Sequence, residues 1–193
     1  MDLFDTPGEE LPASDTPRPL ADRLRPRLLA DVIGQRQILG PEAPLTVMLK
    51  ANALGSIILW GPPGVGKTTI ARLLAKETHL KFVQISAIFS GVPELRKVFQ
   101  AAQNRRDNGQ GTLLFVDEIH RFNKAQQDSF LPLMEDGTLV LVGATTENPS
   151  FELNAAVLSR AQVLVLERLS DDELKLLAQW AETEVGSDLP LDT

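Results

Sequence analysis

The residues best suited to chemistry form a glycine-rich loop that ends in a lysine and a threonine. The run Gly61-Pro62-Pro63-Gly64-Val65-Gly66-Lys67-Thr68 fits the spacing G-x-x-x-x-G-K-[ST] at every fixed position. Glycines in such a loop allow backbone N–H groups to close around phosphate oxygens, which a Cβ atom would obstruct. The sequence therefore predicts a nucleotide site, in which this run and the next residue, Thr69, bind the nucleotide.

Two residues of the loop have specific expected roles. Lys67 is expected to reach the β- and γ-phosphates, and the Thr68 hydroxyl to hold Mg²⁺. An apolar run precedes the loop and helical spacing follows it, so the positive end of a helix points at the same anion. The alternative is a glycine-rich turn that ends in Lys-Thr by chance, and the strand and helix on either side argue against it.

A pair of acidic residues follows another apolar run. Residues 113–116 are Leu-Leu-Phe-Val, and Asp117 and Glu118 come directly after them. Asp117 is expected to coordinate Mg²⁺, directly or through water, and Glu118 to accept a proton from an attacking water or to align it. The alternative is that the two acids merely begin a turn. Beside a phosphate loop, the pair favours hydrolysis of the bound nucleotide.

Two further segments contain candidate site residues, but their sequence patterns are less specific. Thr145 and Thr146 end the fourth apolar run, where a hydroxyl would lie between the two motifs and sense the γ-phosphate. Threonines at the end of a strand are common without such a role. Arg160 follows Ser159 just before the fifth run, and arginines at helix ends usually contact carbonyl groups or solvent.

Strands and helices must position these residues, and five apolar runs alternate with helical patterns. The predicted strands are residues 56–60, 81–86, 112–116, 139–144 and 163–166. The predicted helices are residues 44–53, 66–78, 93–107, 124–134 with a kink at Pro132, 154–158 and 171–185. This alternation predicts an α/β fold, a five-stranded parallel sheet covered by helices on both faces. Right-handed crossovers bring the strand carboxyl ends to one edge, where ligands bind.

Composition limits the classes of function. The chain has 193 residues, a net charge of −7, no cysteine and two histidines, which excludes disulfides, thiolate metal sites and a histidine-rich metal site. The negative charge does not attract nucleic acid, so any DNA contact must come from a local basic patch. No apolar run approaches the roughly 18 residues of a membrane helix, and the acidic N-terminus lacks a secretory signal.

The set of motifs resembles the AAA+ ATPases, in which a phosphate loop, an Asp-Glu pair on strand three, a sensor on strand four and a Ser-Arg finger occur in this order. Within that class, the sequence is similar to the replication-associated recombination protein A (RarA/MgsA) family, relatives of the Werner-helicase-interacting protein and of clamp-loader subunits. The resemblance rests on residues 19–26, 33–35, 58–64, 117–128 and 143–154, of which the last two blocks are distinctive. It implies an AAA+ P-loop NTPase core followed by the start of a helical lid.

The resemblance implies roles for individual residues, with ATP and Mg²⁺ as cofactors. Val32 and Ile33 would hold adenine, mostly through their backbone. Thr145, or as second choice Thr146, would be the first sensor. Arg160 would be an arginine finger that acts on ATP held by a neighbouring subunit. Such a finger can be worth roughly 10³–10⁵ in rate, so hydrolysis would depend on assembly.

The resemblance also implies a function, that of a DNA-stimulated ATPase acting at stalled or gapped replication forks as a homo-oligomer. Arg121 and Lys124 are candidate contacts for DNA phosphates, although Arg121 could equally pair with a nearby acid. Single-strand-binding protein and other replication proteins are candidate partners. The alternatives are a clamp-loader-like or branch-migration ATPase, and a nucleotide-dependent module that recruits partners without turnover. The expected location is the cytoplasm, at the nucleoid in a bacterium, with no membrane.

The predicted domains are a disordered arm at residues 1–17, a nucleotide-binding core at 18–168 and the beginning of the lid at 169–193. The family's lid is a full helical bundle with a second sensor arginine, so we expect a truncated chain that binds nucleotide weakly and turns over slowly. Its lid helix is expected to leave part of an apolar face exposed. That face contains Leu174, Leu176, Leu177 and Trp180.

The segment after the second predicted strand departs from the family pattern. Ile88-Phe89 is bulkier than the expected Val-Thr, and Pro93 is unusual. An exposed Phe89 would be able to stack on a base. We expect it instead to pack against the following helix, because phenylalanine is usually buried.

Overall fold

A five-stranded parallel sheet organises the part of the chain that the computed structural model describes, residues 20–186, with backbone alone at Ala21 and Asp22. The strands are β1 (Ser56–Trp60), β2 (Lys81–Ser86), β3 (Thr112–Asp117), β4 (Leu139–Thr145) and β5 (Ala161–Val165). Their order in the sheet is β2-β3-β4-β1-β5, and every pairing is parallel. The predicted sheet is confirmed, and its order places β4 between β1 and β3.

The helices of the described range are α1 (Leu20–Arg23), α2 (Arg36–Leu39), α3 (Pro44–Lys50), α4 (Lys67–Glu77), α5 (Val92–Asp107), α6 (Lys124–Asp128), α7 (Leu131–Glu135), α8 (Pro149–Glu152), α9 (Ala155–Leu158) and α10 (Asp171–Val185). Single turns of 3₁₀ helix occupy Leu29–Asp31 and Ile119–Arg121. The pattern predicted as one helix over 124–134 forms two, α6 and α7. Pro132 has no N–H to donate to the Asp128 carbonyl, so one helix cannot continue through this point.

Helices cover both faces of the sheet, as the alternation of strands and helices predicts. On one face, Phe115 of β3 shares a core with Leu74 of α4. On the other face, Leu114 of the same strand shares a second core with Leu95 of α5 and with Phe130. All five side chains are buried. A strand that is buried on both sides needs apolar residues at successive positions, which is why residues 113–116 of β3 are all apolar.

The carboxyl ends of β1, β4 and β3 lie side by side. Trp60, the last residue of β1, pairs with Thr145, the last residue of β4, and Val116 of β3 pairs with Gly143 of β4. The Gly61 N–H donates to the Thr145 carbonyl oxygen at 3.1 Å, which extends the ladder into the phosphate loop. The motifs that follow these three strands therefore emerge at one edge of the sheet.

The last helix begins and ends where its sequence predicts. Ser170 and Glu173 form a capping box at the start of α10, with the Ser170 N–H donating to the Glu173 carboxylate at 2.8 Å. Gly186 follows the helix with a φ of 74°, a conformation that glycine adopts without strain.

The predicted arm at residues 1–17, Arg18 and the lid beyond residue 186 lie outside the described residues. Among the helices described, none has the length and apolar character needed to cross a membrane.

Phe130→Ala should lower the free energy of unfolding by about 3–5 kcal/mol, because it deletes a fully buried ring and leaves a cavity. The ring packs edge-on against Phe99, with centroids 5.3 Å apart, and lies 5.9 Å from the Phe122 ring. Urea unfolding measures the change. The control Phe151→Ala removes a ring that is 85% exposed and should change the free energy by less than about 0.5 kcal/mol. Equal destabilisation by the two substitutions would contradict this packing.

Candidate nucleotide-hydrolysing site

The phosphate loop requires glycine for two different reasons. Gly64 and Gly66 have φ angles of 80° and 93°, in the left-handed region where a Cβ atom strains the backbone. Gly61 lies against Leu166, and a Cβ atom there would collide with the Leu166 carbonyl oxygen. Gly66 is also the N-cap of α4, so the loop passes directly into a helix. The N–H groups of that first helical turn are suited to phosphate oxygens.

The phosphate loop and the acidic pair line one cavity of about 370 Å³. Lys67, Thr68, Asp117 and Glu118 all contribute to its wall. The Thr68 hydroxyl and the Asp117 carboxylate offer oxygen ligands, which suit a Mg²⁺ ion held mainly by phosphates and water. The described part of the chain contains no cluster of three or more His, Cys, Asp or Glu side chains that could form a metal cage by itself. The residues present therefore fit Mg²⁺ bound together with a nucleotide.

Lys67 is buried, and its ammonium group is bonded to its own loop. Nζ donates to the carbonyl oxygens of Gly61 at 2.7 Å and of Pro62 at 2.8 Å. Burial lowers the pKa of Lys67 below its ordinary value, and the carboxylates of Glu118 and Asp117 partly oppose that change. Two of the three N–H donors of the ammonium group are therefore engaged with the loop, and a phosphate would take the third or replace a carbonyl group.

Glu118 has a backbone conformation that the sequence did not predict. Its φ of 52° and ψ of 46° are left-handed, and it begins the 3₁₀ turn at Ile119–Arg121. This conformation costs a non-glycine residue about 1–2 kcal/mol. The Glu118 Oε2 atom lies 3.2 Å from His120 Nδ1 and 3.5 Å from the Thr146 hydroxyl. Backbone strain of this kind is concentrated at functional sites, which favours a chemical role over a simple turn.

The two threonines at the end of β4 have different surroundings. Thr145 is fully buried, and its hydroxyl accepts from the Glu147 N–H at 3.0 Å and lies 2.9 Å from His120 Nδ1. Thr146 is partly exposed, with its hydroxyl beside Glu118. Neither belongs to the described lining of the cavity that contains Lys67. Thr146, the second choice for a sensor, is therefore the threonine whose hydroxyl lies beside Glu118. The Thr145 hydroxyl contacts the His120 ring instead.

An apolar cavity of about 410 Å³ adjoins the phosphate cavity. Val32 and Ile33, the residues predicted to hold adenine, lie in its wall. Gly64, Gly66 and Thr69 line both cavities. A flat, largely apolar base in the first cavity would therefore have its phosphates in the second.

Helix α10 supplies a part of the apolar wall that the sequence did not reveal. Leu177 and Trp180 line the apolar cavity, whereas Leu174 and Leu176 on the same helix are 49% and 55% exposed. The predicted exposed face is thus divided between a cavity wall and the surface. Helical periodicity identifies an apolar face, but it does not identify what that face contacts.

Arg160 lies outside the described lining of both cavities, immediately before β5. Its Nε and Nη2 atoms each lie 2.6 Å from Glu135 Oε1, and Nη1 donates to the Ala156 carbonyl oxygen at 3.0 Å. The ion pair is exposed to solvent on both sides. An arginine in this place can reach the nucleotide of another molecule only after it leaves Glu135.

Phe89 is 86% exposed and Ile88 58% exposed, so the expectation that Phe89 packs against the following helix is wrong. The N–H groups of Phe89 and Ser90 both donate to the Ser86 carbonyl oxygen, at 3.1 and 2.9 Å. This tight turn directs Phe89 outward, and Leu95 fills the core position on α5 instead. The tertiary contact, rather than the apolar character of the residue, decides its burial.

Arg121 and Lys124, the predicted DNA contacts, are both exposed. Neither has an ion-pair partner among the side chains that the structure describes. The alternative that Arg121 pairs with a nearby acid therefore has no support among the described residues. Both lie beside the core that includes Phe130, on the opposite face of the sheet from α3 and α4.

Comparison with known proteins agrees with the motifs and the fold. The sequence profile of the "ATPase family associated with various cellular activities (AAA)" matches residues 57–169. The chain is 52% identical over 184 residues to replication-associated recombination protein A of Escherichia coli K12, covering 93% of this chain and 41% of the relative. It is 45% identical over 159 residues to the ATPase WRNIP1 of Dictyostelium discoideum, covering 82% of this chain and 18% of the relative. The fold is similar to the solved structure of the RuvB Holliday junction branch migration motor of Thermotoga maritima, with a TM-score of 0.69 and 30% sequence identity. The match covers 84% of this chain and 55% of that chain.

The fold, the phosphate loop and the acidic pair define a P-loop ATPase, and the chain belongs to the AAA family. Within that family it is a member of the RarA/MgsA group, because relatives of that name are 48–52% identical over most of the chain. The chain spans 41% of the length of the Escherichia coli relative.

ATP binding should be coupled to proton uptake by Lys67 at alkaline pH. Burial holds the pKa of Lys67 low in the free site, so part of the population is neutral where an ordinary lysine is charged. Phosphates beside Nζ favour the charged form and raise the pKa again. ATP affinity should therefore fall as the pH rises through the pKa of the free site. Calorimetric titration in two buffers with different ionisation enthalpies measures the protons taken up.

The matched control is Lys67→Arg, because a guanidinium stays charged throughout this range. Nucleotide binding to that variant should take up no proton. Uptake that persists in Lys67→Arg would assign the proton to a different group.

Proposed function

We propose that this chain binds ATP with Mg²⁺ and hydrolyses it within an oligomer, and that it acts on DNA at stalled or gapped replication forks. The observation that carries the hydrolytic part is the shared cavity of Lys67, Thr68, Asp117 and Glu118. A phosphate loop alone would only hold nucleotide. The two carboxylates at the same cavity supply what hydrolysis needs in addition, a Mg²⁺ ligand and a proton acceptor.

The side chains divide the work of phosphoryl transfer. Lys67, whose ammonium group is held at the loop by the Gly61 and Pro62 carbonyls, contacts the β- and γ-phosphates. Thr68 and Asp117 would hold Mg²⁺, which would supply positive charge to the phosphates. Glu118 aligns the attacking water and accepts its proton. Of the two sensor candidates, Thr146 has its hydroxyl beside Glu118, and we propose it as the sensor of the γ-phosphate.

Assembly completes the site through Arg160. An exposed ion pair is worth about 0–1 kcal/mol, so the pairing of Arg160 with Glu135 is easily exchanged. The triphosphate of a neighbouring copy offers the guanidinium a more highly charged partner. Hydrolysis is therefore fast only when copies of the chain lie side by side, and we propose a homo-oligomer as the active form.

DNA is the proposed substrate because the names of several relatives concern replication-associated recombination. Arg121 and Lys124, exposed and without an ion-pair partner among the described residues, provide a local basic patch on a chain whose net charge is −7. In a bacterial cell such a protein would work at the nucleoid, with single-strand-binding protein or other replication proteins nearby. A branch-migration role is the second candidate, because the RuvB motor shares the fold.

Glu118→Gln should keep ATP binding and lower turnover by about 100-fold or more, because an amide cannot accept the proton of the attacking water. Lys67→Ala should lose most ATP binding, since it removes a charged hydrogen-bond donor from the phosphates. Fluorescent-nucleotide titration and single-turnover hydrolysis with Mg²⁺ separate the two effects. Normal hydrolysis by Glu118→Gln would remove the proposed base. Unchanged ATP affinity in Lys67→Ala would remove the proposed phosphate site.

Gapped or forked DNA should stimulate ATP turnover, and the double variant Arg121→Glu, Lys124→Glu should weaken the stimulation. The same variant should reduce the slope of log binding constant against log salt by about one for each DNA phosphate that the protein no longer neutralises. The control Lys50→Glu changes a charge on the opposite face of the sheet, on α3. Stimulation by a four-way junction or a sliding clamp, and not by a gap, would instead select a branch-migration or clamp-loader-like role. Nucleotide binding with no response to any DNA would select a partner-recruiting module.

A further inference from the structure

His120 has a buried imidazole that none of the roles above uses. It lies in the 3₁₀ turn that follows Glu118, between the ends of β3 and β4, and only 7% of its side chain is exposed. The ring nitrogen Nδ1 faces two groups at once, the Thr145 hydroxyl at 2.9 Å and the Glu118 Oε2 atom at 3.2 Å. One nitrogen therefore lies between the general base and the last residue of the central strand.

The chemistry of these groups assigns the hydrogen. A carboxylate oxygen only accepts hydrogen bonds, so its approach to Nδ1 within 3.2 Å favours a hydrogen on that nitrogen over a lone pair. The Thr145 hydroxyl already accepts from the Glu147 N–H at 3.0 Å and has the Glu147 carbonyl oxygen 3.2 Å away as an acceptor for its own hydrogen. It is thus free to accept a share of the Nδ1 hydrogen as well. With its hydrogen on Nδ1, His120 donates to the Thr145 hydroxyl at 2.9 Å and presents the same N–H, at 3.2 Å, as an electrostatic contact for the Glu118 carboxylate.

The far end of this contact is rigid. Thr145 is fully buried, pairs with Trp60 of β1, and accepts the Gly61 N–H through its carbonyl oxygen at 3.1 Å. A path of close polar contacts therefore runs from Glu118 through His120 and Thr145 to the first residue of the phosphate loop, with hydrogen bonds between His120 and Thr145 and between Thr145 and Gly61. Hydrogen bonds to a charged group are roughly twice as strong as neutral ones, so the imidazole is able to hold a flexible glutamate.

We propose that His120 is a positioning residue that fixes the Glu118 carboxylate relative to the phosphate loop. The inference rests on the proposed role of Glu118 as general base. Without His120, the hydrogen-bond partner left to the carboxylate among the described residues is the Thr146 hydroxyl, at 3.5 Å, beside the charge of Lys67. The carboxylate then samples several positions at the cavity wall, and hydrolysis slows while ATP binding is unchanged, because His120 is not part of the described lining of either cavity.

The position of the imidazole hydrogen can be observed by ¹⁵N NMR with His120 itself unchanged. The protein has two histidines, and the other one, His79, is exposed, so the variant His79→Gln leaves a single imidazole in the spectrum. We expect the Nδ1 atom of His120 to carry the hydrogen near neutral pH. A ring whose hydrogen is on Nε2 alone, with Nδ1 bare, would overturn the proposal, because Nδ1 would then have nothing to donate to Glu118.

Kinetics test the consequence with two substitutions at His120. His120→Leu fills the buried site but removes the hydrogen-bond donor. It should lower turnover at saturating ATP about 10–100-fold, because small displacements of a reacting group have effects of this size. The ATP dissociation constant should stay within about twofold of the unchanged protein. His120→Asn places an amide N–H near the Nδ1 position and should recover most of that activity. Thr145→Val, which removes the anchor, should lower turnover in the same direction.

Thermal unfolding separates this role from simple packing. Asn is smaller and more polar than Leu, so the Asn variant should be the less stable and yet the more active protein. Activity that follows stability, with Leu above Asn, would overturn the proposal. If Glu118→Gln abolishes hydrolysis while His120→Leu is fully active, only the inference about His120 fails. If Glu118→Gln itself is fully active, the proposed function fails.

Discussion

The hydrogen-bonded pairing of β4 with β1 on one side and with β3 on the other fixes the spacing of the two halves of the site. The phosphate loop continues from β1 and the acidic pair from β3, and these two strands are not paired with each other. Gly143 is important in this arrangement, because a Cβ atom there would lie 2.8 Å from the Ile58 side chain and 2.9 Å from that of Ile119. The absent side chain lets the turn after Glu118 pack down onto the sheet.

Three of the side chains proposed to act on the triphosphate already have a partner inside the chain. Lys67 is hydrogen-bonded to two loop carbonyls, Arg160 is paired with Glu135, and Glu118 lies 3.2 Å from His120. A buried charge without a partner is costly, so folding has to satisfy Lys67 even before nucleotide arrives. Nucleotide binding then exchanges one set of hydrogen bonds for another. The exchange is easier for Arg160, which is exposed, than for Lys67, which is buried.

The apolar cavity is lined by residues from both ends of the described chain. The segment before β1 contributes Val32 and Ile33 to the apolar cavity, and α10 contributes Trp180. Arg23 of α1 also contacts α10 directly, with its Nη2 donating to the Glu184 carbonyl oxygen at 2.6 Å. A base in this cavity would bury apolar surface on both segments at once, and each Å² so buried is worth about 25 cal/mol. A nucleotide held in this way would couple its binding to the placement of α10.

By itself the sequence determined the elements and the type of chemistry. Apolar runs bounded by glycine and by caps set the five strands and the long helices, and motif spacing identified the phosphate loop and the acidic pair, because these features depend on neighbours in the chain. Tertiary structure alone decided the strand order, the left-handed backbone at Glu118, the contact of His120 with Thr145 and the outward position of Phe89. Each of these features depends on which segments, distant in the sequence, pack against each other, and the local sequence pattern does not predict that packing.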